Sequence, residues 1–106
     1  MNAASLFVAL DVGGHAARAL VYDAAGELLA RAERPVFTRC ESLEVEHDAD
    51  ALAVSVQAVL DESCARLGNR TARLAAVGLA TQRSSIVCLE RRTGRPLTPV
   101  ISWQDR

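Results

Sequence analysis

Residues 6–10 read Leu-Phe-Val-Ala-Leu, an unbroken apolar run that closes on Asp11 and then Gly13-Gly14. A short run with no polar alternation is the pattern of a strand buried on both faces. The glycine pair signals a turn. Residues 17–23 then read as a second strand, with Leu20 and Tyr22 on one face and Val21 on the other. Ala24-Ala25-Gly26 makes a tight reversal. Residues 28–34 set Leu28, Ala30 and Ala32 against Arg31 and Glu33, which predicts a strand with a solvated face or at an edge. Pro35 ends it.

Residues 36–47 are rich in acid and read as irregular. Asp48 is a candidate N-cap for a helix reaching about Leu67. Its apolar positions, Leu52, Val56, Val59, Leu60, Cys64 and Leu67, fall three or four apart on one stripe. Gly68-Asn69 is a plausible stop. Residues 74–80 predict another buried strand, and Gly78 inside it marks either a close approach or simple packing. Residues 85–90 resume as a strand, residues 91–94 make a turn, and residues 99–103 form a last strand. The expected order is β-β-β-α-β-β-β, an α/β fold with a mixed sheet. Three antiparallel strands lead through the helix to a strand paired in parallel, by a right-handed crossover.

The chain has 106 residues, enough for one domain or less. A compact domain of that size buries about 65% of its unfolded surface. Half of the residues are hydrophobic, 24% are charged and the net charge is −1, so nothing favours nucleic acid or an anionic membrane as a partner. All twelve basic residues are Arg, which excludes a Lys-dependent P-loop or Schiff base within the span. Cys40, Cys64 and Cys88 are odd in number and widely spaced, so a metal site or disulfide framework is not expected; Cys64 and Cys88 read as small core residues. No secretory signal or membrane-spanning run is visible, and the expected location is the cytoplasm.

Four stretches could carry chemistry. In Asp11-Val12-Gly13-Gly14-His15, with Arg18 beyond, a carboxylate at a strand end can hold Mg²⁺ through water. The glycines let N–H groups turn toward phosphate oxygens, which Arg18 can also reach. An ordinary hairpin starting with Asp has the same pattern, and a His in a turn such as His15 is more often solvated than catalytic. Thr81-Gln82-Arg83-Ser84-Ser85 puts polar groups where two buried strands meet; they need partners, from a hydroxylated ligand or from a polar bulge at the sheet margin. Trp103-Gln104-Asp105-Arg106 offers an indole for the apolar face of a sugar or polyol, or else a core Trp followed by a surface ion pair. Glu46, His47 and Asp48 could be ligands by type, but the favoured reading is a helix cap and its approach.

Taken in order, these stretches resemble the N-terminal segment of the FGGY carbohydrate kinases, nearest the glycerol kinase branch. The family's opening strand ends in Asp-Gln-Gly-Thr-Thr-Ser-Ser-Arg; here Asp11 to Arg18 read Asp-Val-Gly-Gly-His-Ala-Ala-Arg. Val45-Glu46-His47-Asp48-Ala49 is similar to its Val-Glu-His-Asp-Pro helix entry. Thr81-Gln82-Arg83-Ser84-Ser85 resembles Asn-Gln-Arg-Glu-Thr. Arg91 through Leu97 match Arg-x-Thr-Gly-x-Pro-Leu, and Trp103 to Arg106 match Trp-Gln-Asp-Arg unchanged.

The resemblance implies a ribonuclease H-like, actin-like ATPase fold and an ATP-dependent phosphotransferase acting on a sugar or polyol. By it, Asp11 lies near Mg²⁺; Gly13, Gly14, His15 and Arg18 face nucleotide phosphates. Gln82, Arg83, Ser84 and Trp103 belong to the acceptor side, and the catalytic base and adenine site lie further along the family's sequence. Asp11 and Arg83 are therefore expected to share one cavity. Two departures stand out. Gly14 replaces a phosphate-contacting Thr, a loss of about 0.5–1.5 kcal/mol. Ser84 replaces the Glu that glycerol kinases use on glycerol, about 1.5–3 kcal/mol, which leaves another polyol or sugar open as acceptor. The span is expected to be the first piece of a larger kinase, inactive alone. A non-catalytic nucleotide- or sugar-binding module and a small interaction domain are the competing readings. An unprotected last strand further predicts self-association of the fragment.

Overall fold

The computed structural model describes residues 4–104. Asp105 and Arg106 of the Trp-Gln-Asp-Arg stretch lie outside the described residues. The elements run β1 (Leu6–Val12), β2 (Ala16–Asp23), β3 (Leu28–Pro35), β4 (Thr38–Glu41), β5 (Glu44–His47), α1 (Ala49–Leu67), a 3-10 turn (Gly68–Arg73), β6 (Leu74–Thr81) and β7 (Val100–Ile101). The main sheet has the order β3-β2-β1-β6, antiparallel except for the parallel pair β1–β6. The mixed sheet of the sequence reading is therefore present.

Alternation along β1 decides the layering. Leu6, Val8 and Leu10 are buried in one cluster with Ala17, Ala19, Val21, Ala30 and Ala32 of β2 and β3, and with Val59 and Leu67 of α1. Alanines on this face let the helix approach the sheet closely. Burial of Val59 and Leu67 stabilises the pairing by about 1.5–3 kcal/mol each. Asp48 caps α1, its Oδ1 accepting from Ala51 N at 2.8 Å. At the other end Gly68, at φ +56°, turns the chain into the 3-10 segment. No helix among the described residues is long and apolar enough to cross a membrane.

Several expectations are corrected. Residues 36–47 are not irregular: β4 and β5 form a hairpin with Ser42 at φ +56° in its loop, and β7 pairs with β5 to make a second sheet, β4-β5-β7. The observed order is thus β-β-β-β-β-α-β-β. Residues 85–90 are not a strand; only the bridges Ile86–Ile101 and Leu89–Pro96 form. Pro96 and Pro99 in the facing segment have no N–H for a ladder, and Thr98 Oγ1 instead accepts from Cys88 N at 3.1 Å. β6 is exposed rather than buried, because it is an edge and α1 lies over β2 and β3. Nothing approaches Gly78. Cys64 and Cys88 are exposed, not core. The helical stripe runs through Val59, Ser63 and Leu67, one position off Cys64.

Candidate functional site

The loop between β1 and β2 is held from behind. Gly13 N donates to Ala16 O at 3.0 Å, closing the turn. A Cβ on Gly13 would meet that oxygen at 3.1 Å, so the turn calls for glycine there, whereas Gly14 has nothing within 4 Å. Three successive carbonyls accept bonds from the protein. Gly13 O receives Gln82 Nε2 at 3.0 Å, Gly14 O receives Thr38 Oγ1 at 3.3 Å, and His15 O receives Val36 N at 2.9 Å. The N–H groups of Gly14 and His15 have no partner among the described residues. Of the loop amides expected at a phosphate, Gly13 is therefore already engaged, and those of Gly14 and His15 are open. The His15 side chain is exposed.

Beside this loop, Asp11, Arg18 and Glu33 face one another across β1, β2 and β3. Arg18 donates to Glu33 at 3.0 Å and to Asp11 at 3.4 Å. Arg31 and then Arg18 hold the Glu33 carboxyl below the ordinary carboxylate value. Such exposed pairs contribute little stability. Their effect is to keep Arg18 beside the loop, on the sheet face away from α1.

After β6 the chain turns sharply, with Ser84 at φ +60°. Thr81, Arg83, Ser84 and Trp103 line a cavity of about 520 Å³. Arg83 has no hydrogen-bond or ion-pair partner among the described residues. Trp103 is exposed, and its N–H is held by Ser85 Oγ at 3.0 Å. Gln82 points the other way, toward Gly13. The single cavity expected for Asp11 and Arg83 is instead two neighbours: Asp11 lines one of about 430 Å³ with Ala80, next to Thr81 in the other. Alternate residues of a strand face opposite ways, which separates the two hollows at the end of β6. The Arg83 hollow lies at the C-terminal edge of the parallel pair, while the Asp11 hollow runs along the sheet face from Phe7 and reaches that edge at Asp11 and Ala80, which are in register.

The sequence reading weighs His47 as a ligand by type and favours the approach to a helix cap; its place in the hydrogen-bond network is not foreseen there. Asp48 does cap the helix, yet His47 before it is 1% exposed and lies between Thr38 and Gln82, the two side chains that bond the loop carbonyls. Its Nδ1 lies 3.1 Å from Thr38 Oγ1, and its Nε2 lies 3.4 Å from Gln82 Nε2. The Val-Glu-His-Asp stretch was the available signal.

A model of the FGGY family of carbohydrate kinases, N-terminal domain, matches residues 6–106. The chain belongs to this family. It is 43% identical over 105 residues to a glycerol kinase of Trichlorobacter lovleyi, covering 96% of this chain and 21% of that protein. It is 38% identical over 107 residues to a glycerol kinase of Bordetella pertussis, covering 100% of this chain and 21% of that one. The chain thus spans about a fifth of the length of these relatives. Among solved structures, a xylulose kinase from Rhodospirillum rubrum superposes with a TM-score of 0.88 at 24% identity, over 95% of this chain and 21% of that one. Plasmodium falciparum glycerol kinase, solved with ADP, superposes with a TM-score of 0.80 at 22% identity, over 96% of this chain and 21% of that one. These likenesses show the fold, the actin-like and ribonuclease H-like ATPase type.

Proposed function

We propose that this span is the N-terminal part of an ATP-dependent kinase that transfers the γ-phosphoryl group of ATP to a hydroxyl of a sugar or polyol. The observation that carries this reading is one edge of the sheet. The open N–H groups of Gly14 and His15, with Arg18 beside them, end the first strand. The cavity of Thr81, Arg83, Ser84 and Trp103 ends its parallel neighbour. Parallel sheets bind ligands outside the carboxyl ends of their strands.

In this reading Gly14 N–H, His15 N–H and Arg18 take the phosphate oxygens. Arg83 donates to acceptor hydroxyls, and Trp103 packs on the acceptor's apolar face. Asp11 fits a magnesium ion only through water. It is a single carboxylate, and no cluster of three His, Cys, Asp or Glu side chains among the described residues could hold a metal directly. Bound magnesium supplies charge neutralisation on the phosphates. The chain's own contribution is positioning, which is most of what phosphoryl transfer asks of a protein. The family resemblance puts the base outside this span, so the 106 residues alone are expected to turn nothing over.

Gly14 and Ser84, standing where the family has Thr and Glu, favour a second reading in which the protein binds without catalysis. ADP release by the full-length protein, with MgATP and a panel of sugars and polyols, separates the two. Turnover with any acceptor supports the kinase. MgATP binding in calorimetry without turnover supports the non-catalytic module. Absence of both removes the nucleotide reading of the loop.

A further inference from the structure

The donors and acceptors around His47 can be assigned from their neighbours. Gly13 O only accepts, so the Gln82 atom 3.0 Å from it is the amide nitrogen. That nitrogen's second hydrogen faces His47 Nε2 at 3.4 Å, which must offer a lone pair. His47 is therefore the neutral Nδ1–H tautomer, a state assigned from the network. Its Nδ1–H donates to Thr38 Oγ1 at 3.1 Å. The threonine hydroxyl in turn donates to Gly14 O at 3.3 Å. On the other side Gln82 Oε1 accepts from Ser85 Oγ at 2.8 Å, and Ser85 Oγ accepts from Trp103 N at 3.0 Å.

A trans peptide is planar, with its C=O and the following N–H pointing opposite ways. There is no cis peptide among the described residues. Holding the carbonyls of Gly13 and Gly14 toward Gln82 and Thr38 thus turns the N–H groups of Gly14 and His15 away from that cluster. We propose that His47 is a positioning residue that locks Gln82 and Thr38 as donors and so aims these two amides at an anionic oxygen. That the oxygen belongs to a nucleotide phosphate rests on the kinase reading above. Through Ser85, the same cluster also anchors the backbone of Trp103.

Nitrogen-15 NMR of the full-length protein reads the His47 tautomer without any ligand. Protonated Nδ1 and bare Nε2 are expected; an Nε2–H form overturns the proposal. The second arm is calorimetry with MgATP and with adenosine, which has no phosphate. Thr38→Val keeps the side-chain shape and removes the donor to Gly14 O; His47→Asn removes the acceptor for Gln82. Each is expected to weaken MgATP binding about two- to tenfold, the effect of one lost neutral hydrogen bond, and to leave adenosine binding unchanged. Equal weakening for adenosine, or unchanged MgATP affinity in both folded variants, overturns the proposal. Wild-type protein that binds no MgATP overturns the kinase reading instead, and the tautomer alone then decides the role of His47.

Discussion

Open space surrounds Gly14, and its φ lies outside the left-handed range. A side chain fits there without strain, unlike at Gly13. Gly14→Thr is therefore expected to tighten MgATP binding about two- to tenfold by adding a hydroxyl donor. Calorimetry on the full-length protein checks this, and an unchanged or weaker affinity argues against phosphate at this loop. Arg83 has no ion-pair partner among the described residues, and in the proposed reading its hollow takes the acceptor. Arg83→Met is expected to raise the acceptor KM at least tenfold, from about 1.5–3 kcal/mol for a charged hydrogen bond, with the KM for ATP nearly unchanged. A matching rise in both would place Arg83 on the nucleotide instead. At this scale the positions of Asp11, Arg18 and Arg83 in the fold were legible because each sits within a few residues of a strand end. The place of His47 in the network was not. Its partners Thr38 and Gln82 lie 9 and 35 residues away in sequence, and only folding brings them together.

Helix α1 was legible almost whole, since the 3.6-residue period and the Asp48 cap are local signals. Leu67 is 3% exposed at its C-terminal end. Leu67→Ala is expected to cost about 2–5 kcal/mol in urea unfolding; a loss well below that range would mean the helix end is loosely packed. Glu62 ties α1 to β3: it accepts from Arg34 at 2.9 Å and pairs with Arg66 at 3.4 Å. The Arg34 hydrogen bond, above all, holds its carboxyl below the ordinary value. A carboxyl lowered on folding favours the native state above its unfolded value, and that contribution is lost as pH falls through the folded value. The stability gap between wild type and Glu62→Gln should therefore shrink on acidification below the ordinary carboxylate range. Urea midpoints against pH test this, and a gap that widens in acid refutes it. The β4–β5 hairpin was illegible because its strands are four residues each and gain β7 as a partner from residues 100–101.

The whole molecule is drawn out, with a radius of gyration of 15.8 Å against about 13 Å for a compact domain of this length. Its extents are 49 × 30 × 21 Å. The reason is that α1 covers only the β2–β3 side of the main sheet, while Val77, Leu79, Ile86, Leu89 and Leu97 stay exposed. β6 carries no charge along its length and pairs only with β1 among the described residues. An uncharged apolar edge is a template for further strand pairing. The 106-residue chain by itself is therefore expected to self-associate with rising concentration. Sedimentation as a clean monomer across the range would contradict this, and Val77→Lys should suppress the association.

Strand β1, its glycine turn, the antiparallel partners, the helix and the family could all be read along the chain. Each depends on neighbours a few residues apart, through side-chain period, turn chemistry and motif order. Burial could not be read that way. Apolar composition marked β6 and Cys64 as core, but burial depends on what lies above a residue, and α1 crosses elsewhere. Nor could the meeting of Gly13, Thr38, His47, Gln82 and Trp103 be foreseen, because hydrogen bonds between distant segments exist only once the β1–β6 register sets their spacing.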